Sequence, residues 1–222
     1  MGRAGTNEKA GLSRIQEKNR GRIIHAALGQ FSRHGYAGTT IDKIAVSAGM
    51  SKSNLLYYFA SKTALYEAAL AHILNAWLDP LRGLNVDADP AKELTRYILQ
   101  KMKMSAELPA ESRLFANEIL QGAPRIRPVL ENDLKRLVDE KTEVIRQWID
   151  QGRIAPIEPV HLIFSIWAIT QHYADFEPQI VALTGKTVRD PEFRKSAEAT
   201  VLQLVLSGLG LSVPEKMVSS DG

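Results

Sequence analysis

Two groups of side chains in this sequence are spaced to do chemistry, and in both the chemistry is recognition. The first is the run Ser51, Lys52, Ser53, Asn54, Tyr57 and Tyr58, preceded by Thr39 and Thr40. In a short helix opened by Ser51, Leu55 and Leu56 can face inward. Lys52, Ser53, Asn54, Tyr57 and Tyr58 then keep polar and aromatic surface for a partner, which suits insertion into a DNA major groove. The second group lies in HLIFSIWAITQHYADF, residues 161–176. Ile163, Phe164, Ile166, Trp167 and Thr170 are apolar or nearly so around much of that helix, which predicts deep burial. Into this setting the sequence puts Gln171, His172 and Tyr173, with Trp167 and Gln171 four apart on one face. Two readings stand: a core whose polar groups are satisfied, or a pocket with aromatic walls and a few orienting polar groups. Trp77, at the end of an earlier helix, can meet the same cavity.

Bond-making chemistry has little to stand on. There is no P-loop, dinucleotide fingerprint or zincin motif. The charged run from Asp133 to Lys141 reads as a solvated helix face. His172 and Asp175 are placed to share a metal, but no further ligand is near in sequence, so a hydrogen-bonded or surface pair is the better reading. With no cysteine, disulfides and thiolate metal sites are excluded. The expectation is a protein that is not an enzyme and needs no cofactor.

The elements that must position these groups are all helical. Ser13 opens a first helix to about His34, with Ile15, Ile23, Ala26, Ala27 and Phe31 as its apolar stripe and Gly35 as its end. Thr39 and Thr40 offer hydroxyl caps to a helix from Ile41, whose Ile44 and Ala45 continue one buried face. Gly49 supplies the positive φ of a sharp turn before Ser51. A fourth helix starts near Ser61, turns Leu65, Ala68, Ala69, His72, Ile73, Ala76 and Trp77 inward, and stops at Pro80. Further helices are predicted at about 91–107, 110–120, 129–150, 159–176 and 191–209, with a loop through Gly185 before the last. No strand alternation is visible. The predicted organisation is a disordered arm at 1–12, a three-helix helix-turn-helix domain at 13–62, a helical-bundle ligand-binding and dimerisation domain at 63–211, and a flexible tail at 212–222. Val201, Leu202, Val205 and Leu209 are candidates for the apolar seam of a dimer.

Charge is unevenly shared. Through residue 62 there are 10 Lys+Arg and 3 Asp+Glu, a net of +7, and the rest has 18 and 22, a net of −4. A basic end on an acidic body is expected where that end meets a polyanion, and the fixed helix-turn-helix pattern favours nucleic acid over a membrane surface. No secretory leader or bilayer-length apolar run is present, so a cytoplasmic protein is expected.

The stretch TTIDKIAVSAGMSKSNLLYYFASKTALY, residues 39–66, resembles the N-terminal signature of TetR-type transcriptional regulators. It departs from the usual pattern at Ser53, where glycine is frequent, and at Leu56, where a tyrosine usually meets phosphates. SRLF, QGAP, DLKRLVDEK, APIEPVHLIF, WAITQHYADFEPQ and TGKTVRD resemble the pyrimidine-utilisation repressors within that family. The resemblance implies a homodimer that binds double-stranded operator DNA and is released by uracil or thymine. It further implies that Lys52, Ser53 and Asn54 face base edges while Thr39, Thr40, Tyr57 and Lys62 hold phosphates. For a pyrimidine effector, Trp167 or Trp77 can stack on the flat ring and the Gln171 amide can match its imide edge, with Phe115 and Tyr173 as further candidates. The alternatives are a different small aromatic effector, a DNA-binding protein with no effector, or an enzyme using the pocket. Ligand-insensitive binding with little sequence preference would mark the second, and turnover of a small ring substrate the third.

Overall fold

The computed structural model of the chain describes residues 14–214, and every regular element among them is a helix. The expected arm at 1–12, the helix start at Ser13 and residues 215–222 of the expected tail lie outside the described residues. The chain divides into two compact units, Met1–Ala69 and Leu70–Gly222, and the division falls inside one helix.

The first unit holds α1 (Arg14–Gly38), α2 (Ile41–Ser47), α3 (Lys52–Tyr58) and the start of α4 (Lys62–Arg82). Its core is built from Ile23, Ala27, Phe31, Ile44, Leu55 and Leu65, each with essentially no exposed surface. Phe31 meets Tyr66 edge-on at 4.8 Å and lies parallel to Tyr36 at 6.3 Å. Regular α1 geometry breaks at Gly35, whose φ of 65° is left-handed, as the expected end at His34 requires. Ile15, expected in the apolar stripe, is 74% exposed. It sits more than two turns before Ile23, beyond the reach of so small a core.

The second unit holds the rest of α4, then α5 (Pro90–Glu107), α6 (Pro109–Leu120), α7 (Arg127–Val129), a π-helical turn (Leu130–Leu134), α8 (Lys135–Asp150), α9 (Pro159–Asp175), α10 (Glu177–Thr184) and α11 (Pro191–Gly208). α5 is the central rod, packed against α6, α9 and α11. Its buried stripe runs Leu94, Tyr97, Ile98, Lys101, Met102 and Ser105, a helical period with one lysine in it.

Three features differ from the sequence reading. α4 does not stop at Pro80 but carries it in its last turn. Proline there forfeits one hydrogen bond near an end where carbonyls are unpaired anyway. Burial of Leu78 and Leu81 holds the helix on course, and Arg82 donates back to the Asn75 carbonyl at 3.1 Å. His72, expected inward on this helix, is exposed. The expected loop through Gly185 contains α10, whose Val181 and Leu183 are largely exposed, so no one-sided apolar stripe announced it. Val201, Leu202, Val205 and Leu209 are buried within the protomer. One apolar stripe serves one partner, and α5 already takes it. The exposed face of α11 carries Leu204 instead, at 63%.

Candidate functional site

The turn between α2 and α3 is closed by backbone hydrogen bonds that need no side chain. Met50 N–H donates to the Ala45 carbonyl and Gly49 N–H to the Val46 carbonyl, both at 3.0 Å, with Gly49 at φ 62°. This pair of bonds around a left-handed residue is the Schellman ending of a helix. Thr40 caps α2 by accepting from Lys43 N–H, and Ser51 caps α3 by accepting from Asn54 N–H at 3.2 Å. Ser51 is therefore part of the frame that aims α3.

On that frame Lys52, Ser53 and Asn54 form an exposed first turn, and Tyr57 is 72% exposed. Lys52 meets Asp42 at 3.0 Å, but both ends are solvated, so the pair contributes little and opens easily. Leu55 alone of the two leucines is buried, while Leu56 is 37% exposed. Tyr58 is turned back to α1, accepting at its hydroxyl from the Asn19 amide at 3.0 Å.

Two expected phosphate contacts have other work. Thr39 is fully buried, and its hydroxyl is shared between the carbonyls of Gly35 (2.8 Å) and Gln30 (3.2 Å). It closes the end of α1 and is not on the surface, because the break at Gly35 leaves carbonyls that need a donor. Lys62 Nζ donates to the carbonyls of Tyr36 (3.0 Å) and Thr39 (3.1 Å) and stands 4.4 Å over the Tyr36 ring. Two of its three N–H groups are thus used inside the unit. Lys62→Ala should cost about 1–3 kcal/mol of stability by leaving those carbonyls without their donor. A urea midpoint equal to that of the parent would remove this role.

Within the second unit lies a cavity of about 760 Å³. Trp77 from α4, Phe115 from α6, and Phe164, Trp167 and Gln171 from α9 line it, and Leu130 and Leu134 of the π-helical turn close one side. The structure thus brings together four of the five expected pocket residues. Tyr173 is the exception, and it lines a separate shallow cleft with Ile169, Ile180 and Phe193. It is two residues past Gln171, about 200° around the helix, so the two cannot share a face. α9 is also less enclosed than expected. Leu162, Ile163, Ile166 and Thr170 are buried, but Phe164 is 48% exposed and Ser165, Ala168 and His172 are exposed.

Trp167 Nε1–H donates to the Tyr97 hydroxyl at 2.6 Å, which fixes the plane of the indole. Burial pushes the Tyr97 hydroxyl pKa far up, so it stays a phenol. The Gln171 amide has no hydrogen-bond partner among the described residues, so both its donor and its acceptor remain to be used.

The sequence reading missed Lys101 and the role of Asp175. Lys101 is 2% exposed and lines the cavity, with its ammonium 4.0 Å over the Trp77 ring. Burial lowers its pKa to about 7, against the opposing pull of the Asp175 charge. Asp175 also lines the cavity. Its pKa is raised by burial, which outweighs the hydrogen bond from Ser112 and the charges of Lys101, Arg113 and His172. The signal for Lys101 was its register: it sits three and four residues from Ile98 and Tyr97 on a buried stripe. Of the His172–Asp175 pair, His172 is exposed and Asp175 lines the cavity, and among the described residues no group of three or more His, Asp or Glu gathers that could hold a metal ion.

Residues 23–69 match the family described as bacterial regulatory proteins, tetR family, and residues 70–212 match the YcdC-like protein C-terminal region. The chain is 47% identical over 197 residues to the HTH-type transcriptional regulator RutR of Escherichia coli strain K12, covering 89% of this chain and 93% of that one. It is 28% identical over 138 residues to the HTH-type transcriptional repressor NicS of Pseudomonas putida, covering 62% of this chain and 64% of the other. Among solved structures, the transcriptional regulator SCO4942 of Streptomyces coelicolor superposes with a TM-score of 0.65 at 28% identity, over 87% of this chain and 99% of that one. AibR, in complex with isovaleryl coenzyme A and operator DNA, gives 0.64 at 17% identity over 88% and 99%, a likeness of fold alone. RutR, NicS and SCO4942 are each described as regulators of transcription. By its capped helix-turn-helix, its all-helical second unit and these matches, the chain belongs to the TetR family of DNA-binding transcriptional regulators.

Proposed function

We propose that the chain is a homodimeric, cytoplasmic repressor that leaves its operator when a pyrimidine base such as uracil or thymine fills the cavity of the second unit. The observation that carries the effector reading is the unpartnered Gln171 amide beside the fixed Trp167 plane in a cavity of about 760 Å³. The indole offers a flat wall, and the amide offers a donor and an acceptor to an edge that alternates C=O and N–H.

On DNA, Lys52, Ser53 and Asn54 of α3 read base edges, while Thr40, Tyr57 and the third N–H of Lys62 hold phosphates. Ser51, Thr39 and Tyr58 support that surface from within. Two such surfaces in a dimer read half-sites about one turn apart, roughly 34 Å. Phosphate contacts add affinity without sequence preference, so Lys62→Ala weakens binding about equally on operator and random DNA. A loss confined to the operator would count against that contact.

The switch is a population shift. α4 carries Lys62 at one end and the cavity residue Trp77 near the other. Effector in the cavity favours a position of α4 that does not suit DNA. It works only to the extent that it binds that state better. By linkage, operator DNA weakens effector binding by the same factor that effector weakens operator binding. Titrating uracil with and without operator tests this, and equal affinities would overturn it.

Gln171→Leu keeps volume but removes both hydrogen-bonding groups. It should lower uracil affinity by roughly 10- to 100-fold, since ring groups that leave water go unpaired. Operator affinity without effector should not change. Calorimetric titration of uracil checks the first, and a band-shift titration checks the second.

A further inference from the structure

The most demanding group in the cavity is the Lys101 ammonium. Lys101 is 2% exposed, and among the described residues no carbonyl or carboxylate accepts from its ammonium. Its neighbour is the Trp77 ring face at 4.0 Å, and it makes no ion-pair contact with Asp175. A buried ammonium with N–H groups left over is costly unless something else accepts from them. Asp175 faces the same space with the complementary deficit. Ser112 donates to its Oδ1 at 2.5 Å, and among the described residues no donor reaches Oδ2. The other charged group in the wall, Arg113, is already engaged with the Ala174 carbonyl and with Glu177. α4 contributes no charge there and α9 contributes only Asp175, so among the described residues the charged groups left unused in the cavity are the Lys101 ammonium and the Asp175 carboxylate, beside the neutral Gln171 amide.

We propose that Lys101 and Asp175 are ligand-binding residues of this cavity. Lys101 Nζ donates to a ring carbonyl, the Asp175 carboxylate accepts from the neighbouring ring N–H, and the site therefore selects cyclic amides and imides over flat rings that lack that pair. The inference rests on the reading of the cavity as the effector site and goes further by naming the groups that read the ring. No bond is made or broken. What moves is one proton: a carbonyl accepting from Nζ favours the charged lysine. A fraction of the protein is neutral at Lys101 above pH 7, so binding takes up a proton from solvent there. The protonated form binds, and apparent affinity therefore weakens with rising pH by up to about tenfold per pH unit. The field at Lys101 comes from Asp175 on α9, opposed at that carboxylate by Arg113 on α6 and His172.

The test is calorimetric titration of the full chain with uracil and with unsubstituted pyrimidine. It runs between about pH 6.5 and 8.5, in buffers of different ionisation enthalpy, so that proton uptake is read directly. Wild type should bind uracil with proton uptake and bind pyrimidine at least about 10-fold more weakly. Lys101→Met should weaken uracil at least about 10-fold, abolish the uptake and keep operator binding, and Lys101→Gln, which retains a donor, should fall between. Asp175→Asn should weaken uracil without abolishing the uptake. Equal uracil affinity for wild type and Lys101→Met overturns the inference while leaving the effector reading in place. Failure of wild type to bind either ring overturns both.

Discussion

Phe31→Ala should abolish operator binding without touching any residue that meets DNA. Phe31 has no exposed surface and packs on Tyr66 and Tyr36, which also meet each other at 5.0 Å, so its removal opens a hole bordered by two rings that cannot collapse freely. Truncating a buried phenylalanine costs about 3–5 kcal/mol. A small domain has roughly 5–15 kcal/mol in all, and this unit is at the small end. The frame that aims α3 therefore melts before the chain sees an operator. Urea unfolding followed by circular dichroism and a band-shift titration check it together. Ile15→Ala on the same helix is the control, and at 74% exposure it should change stability by no more than about 0.5 kcal/mol. An undiminished midpoint and operator affinity for Phe31→Ala would show that the core does not hinge on this ring.

The opposite sign is expected at Lys101. An unfolded lysine keeps its proton to about pH 10.4, and this one keeps it only to about pH 7. Between those values the unfolded chain binds more protons, so stability rises with pH across that window. Below pH 7 the charge is buried in full, at a cost of roughly 3–5 kcal/mol. Lys101→Met removes the charge and nearly keeps the length. It should stabilise the protein most at pH 6, less at pH 9, and scarcely at all near pH 10. Urea midpoints for parent and variant across this range are the measurement. A gain that does not shrink as pH rises would mean that burial of charge is not the cause. A natural chain that retains such a lysine gives up stability for something, and a ligand contact is what the cavity offers.

The helix-turn-helix was legible because each of its parts is local. A threonine before Ile41, a glycine at 49 and a serine at 51 each act on backbone a few residues away, and such rules survive without knowledge of the rest of the chain. Trp77, Phe115, Trp167 and Gln171 were legible as pocket residues partly from period and partly from resemblance. What failed was long-range or competitive. Thr39 and Thr40 look alike in sequence, and only the break at Gly35, with its open carbonyls, decides that one turns in and the other out. The stripe Val201–Leu209 is apolar on one side, but sequence does not say whether α5 or another protomer claims it. Tyr173 was misplaced by proximity in number where angle around the helix governs. Lys101 was passed over because a lysine reads as solvent-facing, although its register with Tyr97 and Ile98 said otherwise.

The chain has 3 tryptophans, and their placement gives it a built-in optical gauge. Trp77 and Trp167 look into the cavity, whereas Trp148 is fully buried elsewhere with its indole N–H fixed on the Val86 carbonyl. A stacked base would quench emission from the first pair and spare the third. Occupancy can then be followed in unlabelled protein, with Trp148 as the internal standard against which the dimming is read.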